Sequence, residues 1–131
     1  IIKKFIDNAK EFNIKIKVCL IFGLPGEKTD IVEKTINFIE TTNPDYISLS
    51  GFLPVPGSPI FNDYKKYGIK YIDKDWSKYS HLLYRFSEEE EVGLPFEYDE
   101  KAPWGIPLTT KQIKNNIVQV QNWLRETGKL Y

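Results

Sequence analysis

Apolar and polar positions at the start of the chain follow two different periods. Over residues 1–13, apolar side chains recur at three- and four-residue steps, which predicts an amphipathic helix ending at Asn13. Residues 14–22 begin with isoleucines and lysines in alternation and end in a continuous apolar run. Such a segment is typical of a parallel strand that becomes buried on both faces.

A second helix and a second strand follow. Asp30 and Glu33 form a candidate capping box, and an apolar stripe at helical spacing then runs as far as Asn43 and Pro44. Residues 46–52 alternate between apolar and serine positions, which predicts a strand. Strands that are joined through a helix of this length pair in parallel. The predicted fold class is therefore α/β.

The second half of the chain is less regular. A short helix is expected to end near Gly68, and residues 71–107 show no clear period. Residues 109–127 are predicted to form a helix, because Thr109 and Gln112 make a capping box and an apolar stripe follows them.

Composition and charge exclude several classes of protein. The 131 residues are 41% hydrophobic, and 18 basic residues balance 18 acidic ones. This balance argues against a disordered chain and against a nucleic-acid-binding protein, because the first needs a high net charge and the second a basic excess. The sequence lacks methionine and begins with Ile1, so we expect it to be a piece of a longer protein.

Cysteine usage and hydropathy bear on location. Cys19 is the single cysteine, which excludes a disulfide within the chain and a multi-cysteine zinc site. We expect it to be a small core residue, and we expect a reducing cytoplasm as the location. The longest apolar run, Val18–Leu24, is far shorter than the about 18 residues that a membrane span needs.

Candidate chemistry lies where the two predicted strands end. Gly/Pro segments follow both strands, at residues 23–27 and 51–59. Ligands of parallel α/β sheets bind at the carboxyl ends of the strands, where these segments would lie side by side. The first segment is not a phosphate-binding loop, because its glycines are too closely spaced and Glu27 stands where that loop needs a glycine.

These two segments resemble those of a known family. Residues 21–27 (IFGLPGE) resemble the fifth-strand segment of radical S-adenosylmethionine enzymes, and residues 52–59 (FLPVPGSP) resemble the segment after their sixth strand. The two motifs in this order are more specific than either one alone. They most resemble the branch whose members carry an N-terminal cobalamin-binding domain.

The resemblance implies a fold and an activity. Residues 1–70 would be the C-terminal portion of a partial (β/α)6 TIM-like barrel with parallel strands, and residues 71–131 a family-specific tail ending in a helix. The parent enzyme would generate a 5′-deoxyadenosyl radical from S-adenosylmethionine, using a 4Fe–4S cluster whose ligands lie outside this chain, with cobalamin as a further expected cofactor. The segment alone would be inactive, and its partners would be the rest of the parent chain and a substrate of unspecified class.

The resemblance also assigns cofactor-binding residues. Ile21 would pack on the adenine of S-adenosylmethionine, and Gly23 would allow the backbone to approach it closely. The backbone of Phe52, Leu53 and Pro54 would meet the polar edge of the base. Catalytic residues and metal ligands are not assigned.

Other features have simpler explanations, and one alternative function stays open. His81 is expected to be a structural or surface residue, and Glu88–Glu91 a solvated face. The aromatic residues between positions 76 and 104 would either cover the open end of the barrel or line a substrate cavity. The alternative to an enzyme is a non-catalytic α/β binding or interaction module whose Gly/Pro loops only turn corners.

Overall fold

Two parallel strands form the centre of the chain. The computed structural model describes residues 1–79 and 94–131. Strand β1 (Lys17–Phe22) pairs in parallel with β2 (Tyr46–Gly51), and helix α2 (Ile31–Thr42) connects them. This arrangement confirms the predicted α/β class and the predicted parallel pairing.

The helix ends follow local chemistry, with one difference from the prediction. Helix α1 (Ile2–Glu11) is followed by Asn13 at a φ of 57°, the left-handed conformation expected there. The capping box predicted at the start of α2 is wrong, because the Asp30 side chain caps no backbone N–H. Its carboxylate pairs instead with the Lys34 ammonium at 2.7 Å, one helical turn along.

A long helix near the C-terminus covers the strand pair. Helix α4 spans Thr110–Glu126, one residue inside each predicted boundary, and it packs against β1, β2 and α2. The predicted capping box is present, since the Thr109 hydroxyl accepts from the Gln112 N–H and the Gln112 side chain accepts from the Thr109 N–H. The last residues then run along the free edge of β2, where the Ile47 N–H donates to the Lys129 carbonyl at 2.8 Å.

The sheet is covered on one face. Ile47 and Leu49 of β2 are buried against α2 and α4, whereas Cys19 and Ile21 of β1 point to the opposite, accessible face. The prediction that β1 is buried on both faces is therefore wrong, as is the prediction that Cys19 is a small core residue. The reason is that both large helices pack on the same face of the sheet, and no helix among the described residues packs on the other.

The segment after β2 contains more regular structure than predicted. Helix α3 (Pro59–Asn62) and a 3₁₀ turn precede strand β3 (Ile69–Ile72), which pairs in antiparallel fashion with β4 (Phe96–Tyr98). Residues 71–107 show no clear period in the sequence because each strand is very short and its partner is distant in the chain. The pattern of one short strand gives no signal for such pairing.

Both halves of the chain contribute to one core. Its buried members come from β1, α2 and β2 and also from β3, β4 and α4. Near the antiparallel pair, the indole N–H of Trp104 donates to the Tyr67 carbonyl, just before β3, at 3.2 Å. No helix in the described ranges, 1–79 and 94–131, is long and apolar enough to cross a membrane.

The cap of α4 provides a test of this packing. Replacing Thr109 with Ala removes the side-chain oxygen that accepts from the Gln112 N–H, so we expect the unfolding free energy to fall by about 1 kcal/mol. Thr110→Ala is the matched control, because this neighbouring hydroxyl makes no hydrogen bond with the described residues. Chemical denaturation measures both variants, and equal losses would contradict the capping role.

Candidate functional site

The two Gly/Pro segments leave the sheet side by side, as predicted. Phe22 and Gly51 are paired at the ends of β1 and β2, and the Phe52 N–H donates to the Phe22 carbonyl at 2.7 Å. The loops that follow therefore start from adjacent points at the carboxyl edge of the sheet. This is the edge at which parallel α/β sheets bind ligands.

Gly23 is held through both of its backbone polar groups. Its N–H donates to a Glu27 carboxylate oxygen at 2.8 Å, and its carbonyl accepts from the Tyr98 hydroxyl at 2.6 Å. Its φ of 89° lies in the left-handed region, which favours glycine. The Gly23 backbone is thus fully engaged by the protein.

Packing gives a second reason for a glycine at this position. A Cβ on Gly23 would lie 3.0 Å from the Cγ2 atom of Ile113, on the buried face of α4. The sequence suggested that Gly23 keeps space for a ligand. The structure shows that the absent side chain makes room for α4, and the assignment to adenine stays a prediction.

The pKa values of Glu27 and Tyr98 are both raised because both side chains are partly removed from water. Burial raises the pKa of the Glu27 carboxyl, and the hydrogen bond from the Gly23 N–H opposes this shift. Burial also raises the pKa of Tyr98, and the nearby Glu27 charge raises it further. The Tyr98 hydroxyl therefore keeps its proton at neutral pH and acts as a donor.

Tyr98 was not singled out by sequence reasoning. Its ring lies edge-on against Phe96 and Trp104, with centroid separations of 5.1 and 5.8 Å. The sequence placed it among aromatic residues that cover the barrel or line a cavity, with no signal for its partner 75 positions away. A short apolar alternation after Pro95 is the local trace of the strand that carries it.

Ile21 lies on the uncovered face of the sheet, near the end of β1. Its side chain is 52% exposed, although it belongs to a paired strand. It is paired with Ser50, whose hydroxyl donates to the Leu20 carbonyl at 3.3 Å. The result is an accessible apolar side chain beside a serine, next to the two loops.

The loop that follows β2 contains both buried residues and a partly exposed one. Phe52 is 8% exposed and packs edge-on against Phe96, and Pro54 is fully buried. Leu53, between them, is half-buried, and no hydrogen bond from the described residues engages its N–H or carbonyl. Among the three residues predicted to meet the base, Leu53 is the one whose N–H and carbonyl both make no hydrogen bond with the described residues, since the Phe52 N–H is engaged and Pro54 has no N–H.

Of the weaker candidates, Cys19 is the one that the described residues include. Cys19 is exposed on the open sheet face, and His81 and Glu88–Glu91 lie outside the described residues. Within the described ranges, no three His, Cys, Asp or Glu side chains converge in a way that could hold a metal ion.

Comparison with known proteins gives one partial match. Over 70 residues the chain is 36% identical to the uncharacterized protein MJ1620 of Methanocaldococcus jannaschii. The match covers 52% of the chain and 14% of that protein, so the chain spans a small part of its relative. No family model matches the chain, and no solved structure does.

Two glycines with the same conformation separate packing from backbone strain. Gly23 and Gly26 have φ values of 89° and 88°, but no described residue lies within 4 Å of a Cβ on Gly26. Replacement by Ala should cost about 1–2 kcal/mol of unfolding free energy at Gly26 through backbone strain, and about 1–3 kcal/mol more at Gly23 because of the contact with Ile113. Thermal or urea unfolding measures the difference, and equal losses would contradict the packing argument.

The raised pKa of Glu27 predicts a pH-dependent effect of its removal. A carboxyl with a raised folded pKa costs stability once it ionises, so the cost is absent at low pH and appears as the pH rises above the ordinary value. The unfolding free energy of Glu27→Gln, relative to the unsubstituted protein, should therefore increase between pH 4 and pH 7.

Asp30→Asn is the control, because the pKa of Asp30 is shifted in the direction opposite to that of Glu27. The hydrogen bond from Lys34 lowers the pKa of Asp30, so its contribution is present above the ordinary pKa and lost as the pH falls through the lowered one. Urea titrations at several pH values compare the two variants. A Glu27→Gln curve parallel to that of the unsubstituted protein would contradict the shift.

Proposed function

We propose that this chain is part of a radical S-adenosylmethionine enzyme and supplies the adenine side of its cofactor site. In this proposal α1, β1, α2 and β2 belong to the C-terminal portion of a partial (β/α)6 barrel. The order helix, strand, helix, strand supports it, together with the parallel pairing and the large helices on one face of the sheet. In a barrel the uncovered face would point to the interior.

The observation that carries the proposal is the position of Ile21. An isoleucine in a paired strand is ordinarily buried, but this one is half-exposed at the carboxyl end of the sheet, beside both Gly/Pro loops. Its apolar surface is available to a flat, largely apolar group. Burying that surface against a ligand would stabilise the complex by removing it from water.

The residues at this edge fit an adenine. Ile21 can cover one face of the base, and the N–H and carbonyl of Leu53, which bond to no described residue, can meet its polar edge. Gly23 shapes the loop without bonding to the base, because its own N–H and carbonyl are already engaged. This combination of one apolar face and a few backbone polar groups is usual for small-molecule sites.

In this proposal the 4Fe–4S cluster is held outside this chain. S-adenosylmethionine would supply a 5′-deoxyadenosyl radical when it is bound together with a 4Fe–4S cluster. That cluster needs several cysteines, and this sequence contains Cys19 alone, so its ligands belong to other parts of the parent protein. Cobalamin, the substrate and a cytoplasmic location rest on the resemblance and the composition.

The direct test uses the full-length parent protein. After anaerobic reconstitution with iron and sulfide and chemical reduction, it should convert S-adenosylmethionine to 5′-deoxyadenosine, measured by chromatography. Its sequence before this segment should contain a Cys-x3-Cys-x2-Cys loop. Absence of both the loop and the product would contradict the proposal.

One observation favours the alternative, a non-catalytic interaction module. Helix α1 and the residue that follows it expose large apolar side chains, with Phe5 64% and Phe12 77% accessible. Such a stripe on a surface helix suits contact with another protein surface. The same reconstitution separates the hypotheses, because an interaction module would neither bind nor cleave S-adenosylmethionine.

Substitution of Ile21 tests the adenine assignment. Ile21→Asp should weaken binding of S-adenosylmethionine to the reconstituted parent protein by at least about tenfold, because an unpaired carboxylate would be desolvated against the base. Isothermal calorimetry measures the affinity. Ile14→Asp is the matched control, since Ile14 is 55% exposed and precedes the opposite end of the same strand. A folded Ile21→Asp protein that binds normally would contradict the assignment.

A further inference from the structure

One hydrogen bond connects the tail of the chain to the loop at the end of β1. The Tyr98 hydroxyl lies 2.6 Å from the Gly23 carbonyl oxygen, and this contact is buried. Tyr98 belongs to β4, which pairs with β3 and not with the parallel strands. The bond therefore joins the antiparallel unit to the proposed cofactor edge.

The geometry around Gly23 makes this bond a constraint on loop shape. A glycine can adopt several backbone conformations, including the left-handed one seen here. The Glu27 carboxylate fixes the N–H side of Gly23, and Tyr98 fixes its carbonyl side. With both groups held, the backbone of residues 23–27 is restricted to the conformation in which it leaves the sheet here.

We propose that Tyr98 is a positioning residue for the adenine site, holding the Gly23–Glu27 loop in the conformation that leaves Ile21 and Leu53 accessible to the base. This inference rests on the proposed function and adds a role for the tail, which the family resemblance does not supply. The tail acts through the backbone of Gly23 and does not itself touch the cofactor.

The ring and the hydroxyl of Tyr98 can be separated by substitution. Tyr98→Phe keeps the edge-on contacts with Phe96 and Trp104 but removes the donor. The Gly23 carbonyl is then buried without its partner, which favours other loop conformations. We expect affinity for S-adenosylmethionine to fall about tenfold, the effect of losing one buried hydrogen bond.

The matched control is Tyr79→Phe. The Tyr79 hydroxyl also donates to a backbone carbonyl, that of Asp73, at 2.7 Å, but this bond lies within the turn after β3. Its removal should leave the affinity for S-adenosylmethionine unchanged. The two variants differ in which carbonyl loses its donor.

Two measurements on the reconstituted full-length protein test the inference. Calorimetry gives the affinity for S-adenosylmethionine, and hydrogen exchange without S-adenosylmethionine reports loop mobility. In Tyr98→Phe we expect faster exchange confined to residues 23–27, with β2 protected as before. A merely structural role would instead accelerate exchange throughout the core.

The outcomes separate this inference from the proposed function. Local acceleration with weaker binding in Tyr98→Phe alone supports the positioning role. Unchanged exchange in residues 23–27, or acceleration throughout the core, overturns it. If the unsubstituted protein binds no S-adenosylmethionine, the proposed function is contradicted. If the unsubstituted protein binds and Tyr98→Phe binds with the same affinity, the positioning role alone is overturned.

Discussion

Burial of one face of a two-stranded parallel sheet is the constraint on which the rest of the structure depends. Ile47 and Leu49 are removed from water by α2 and α4, and burial of each such side chain stabilises the fold by about 1.5–3 kcal/mol. Two strands alone are marginally stable, so this core is what keeps β1 and β2 paired. The opposite face of the sheet is not covered by these helices, and Ile21 stays accessible there.

The covered face and the open edge meet at Gly23. A Cβ on Gly23 would lie 3.0 Å from Ile113 of α4, close enough that the isoleucine would have to shift, while Glu27 and Tyr98 hold the Gly23 backbone. The packing of the C-terminal helix and the shape of the loop are consequently coupled through one residue. Through this coupling, the second half of the chain contacts the loop that follows β1.

Local patterns predicted most of the features that depend on local chemistry, and the capping box at Asp30 is the exception. The parallel strands, the capping box at Thr109 and the left-handed Asn13 followed from spacing and residue type. The exposure of Cys19 and the antiparallel pair could not be predicted, because they depend on which face the helices occupy and on partners distant in the chain. Tyr98 belongs to this second group, since nothing near it in sequence indicates a bond to Gly23.

We propose that Ile21 and the backbone of Leu53, at the edge that Gly23 shapes, contact the adenine of S-adenosylmethionine. Photolabelling of the reconstituted parent protein with an azidoadenine analogue of S-adenosylmethionine tests this contact directly, with mass spectrometry to locate the adduct. The account predicts labelling within residues 21–27 and 52–54, suppressed by excess S-adenosylmethionine. Suppressible labelling confined to other parts of the protein would contradict it.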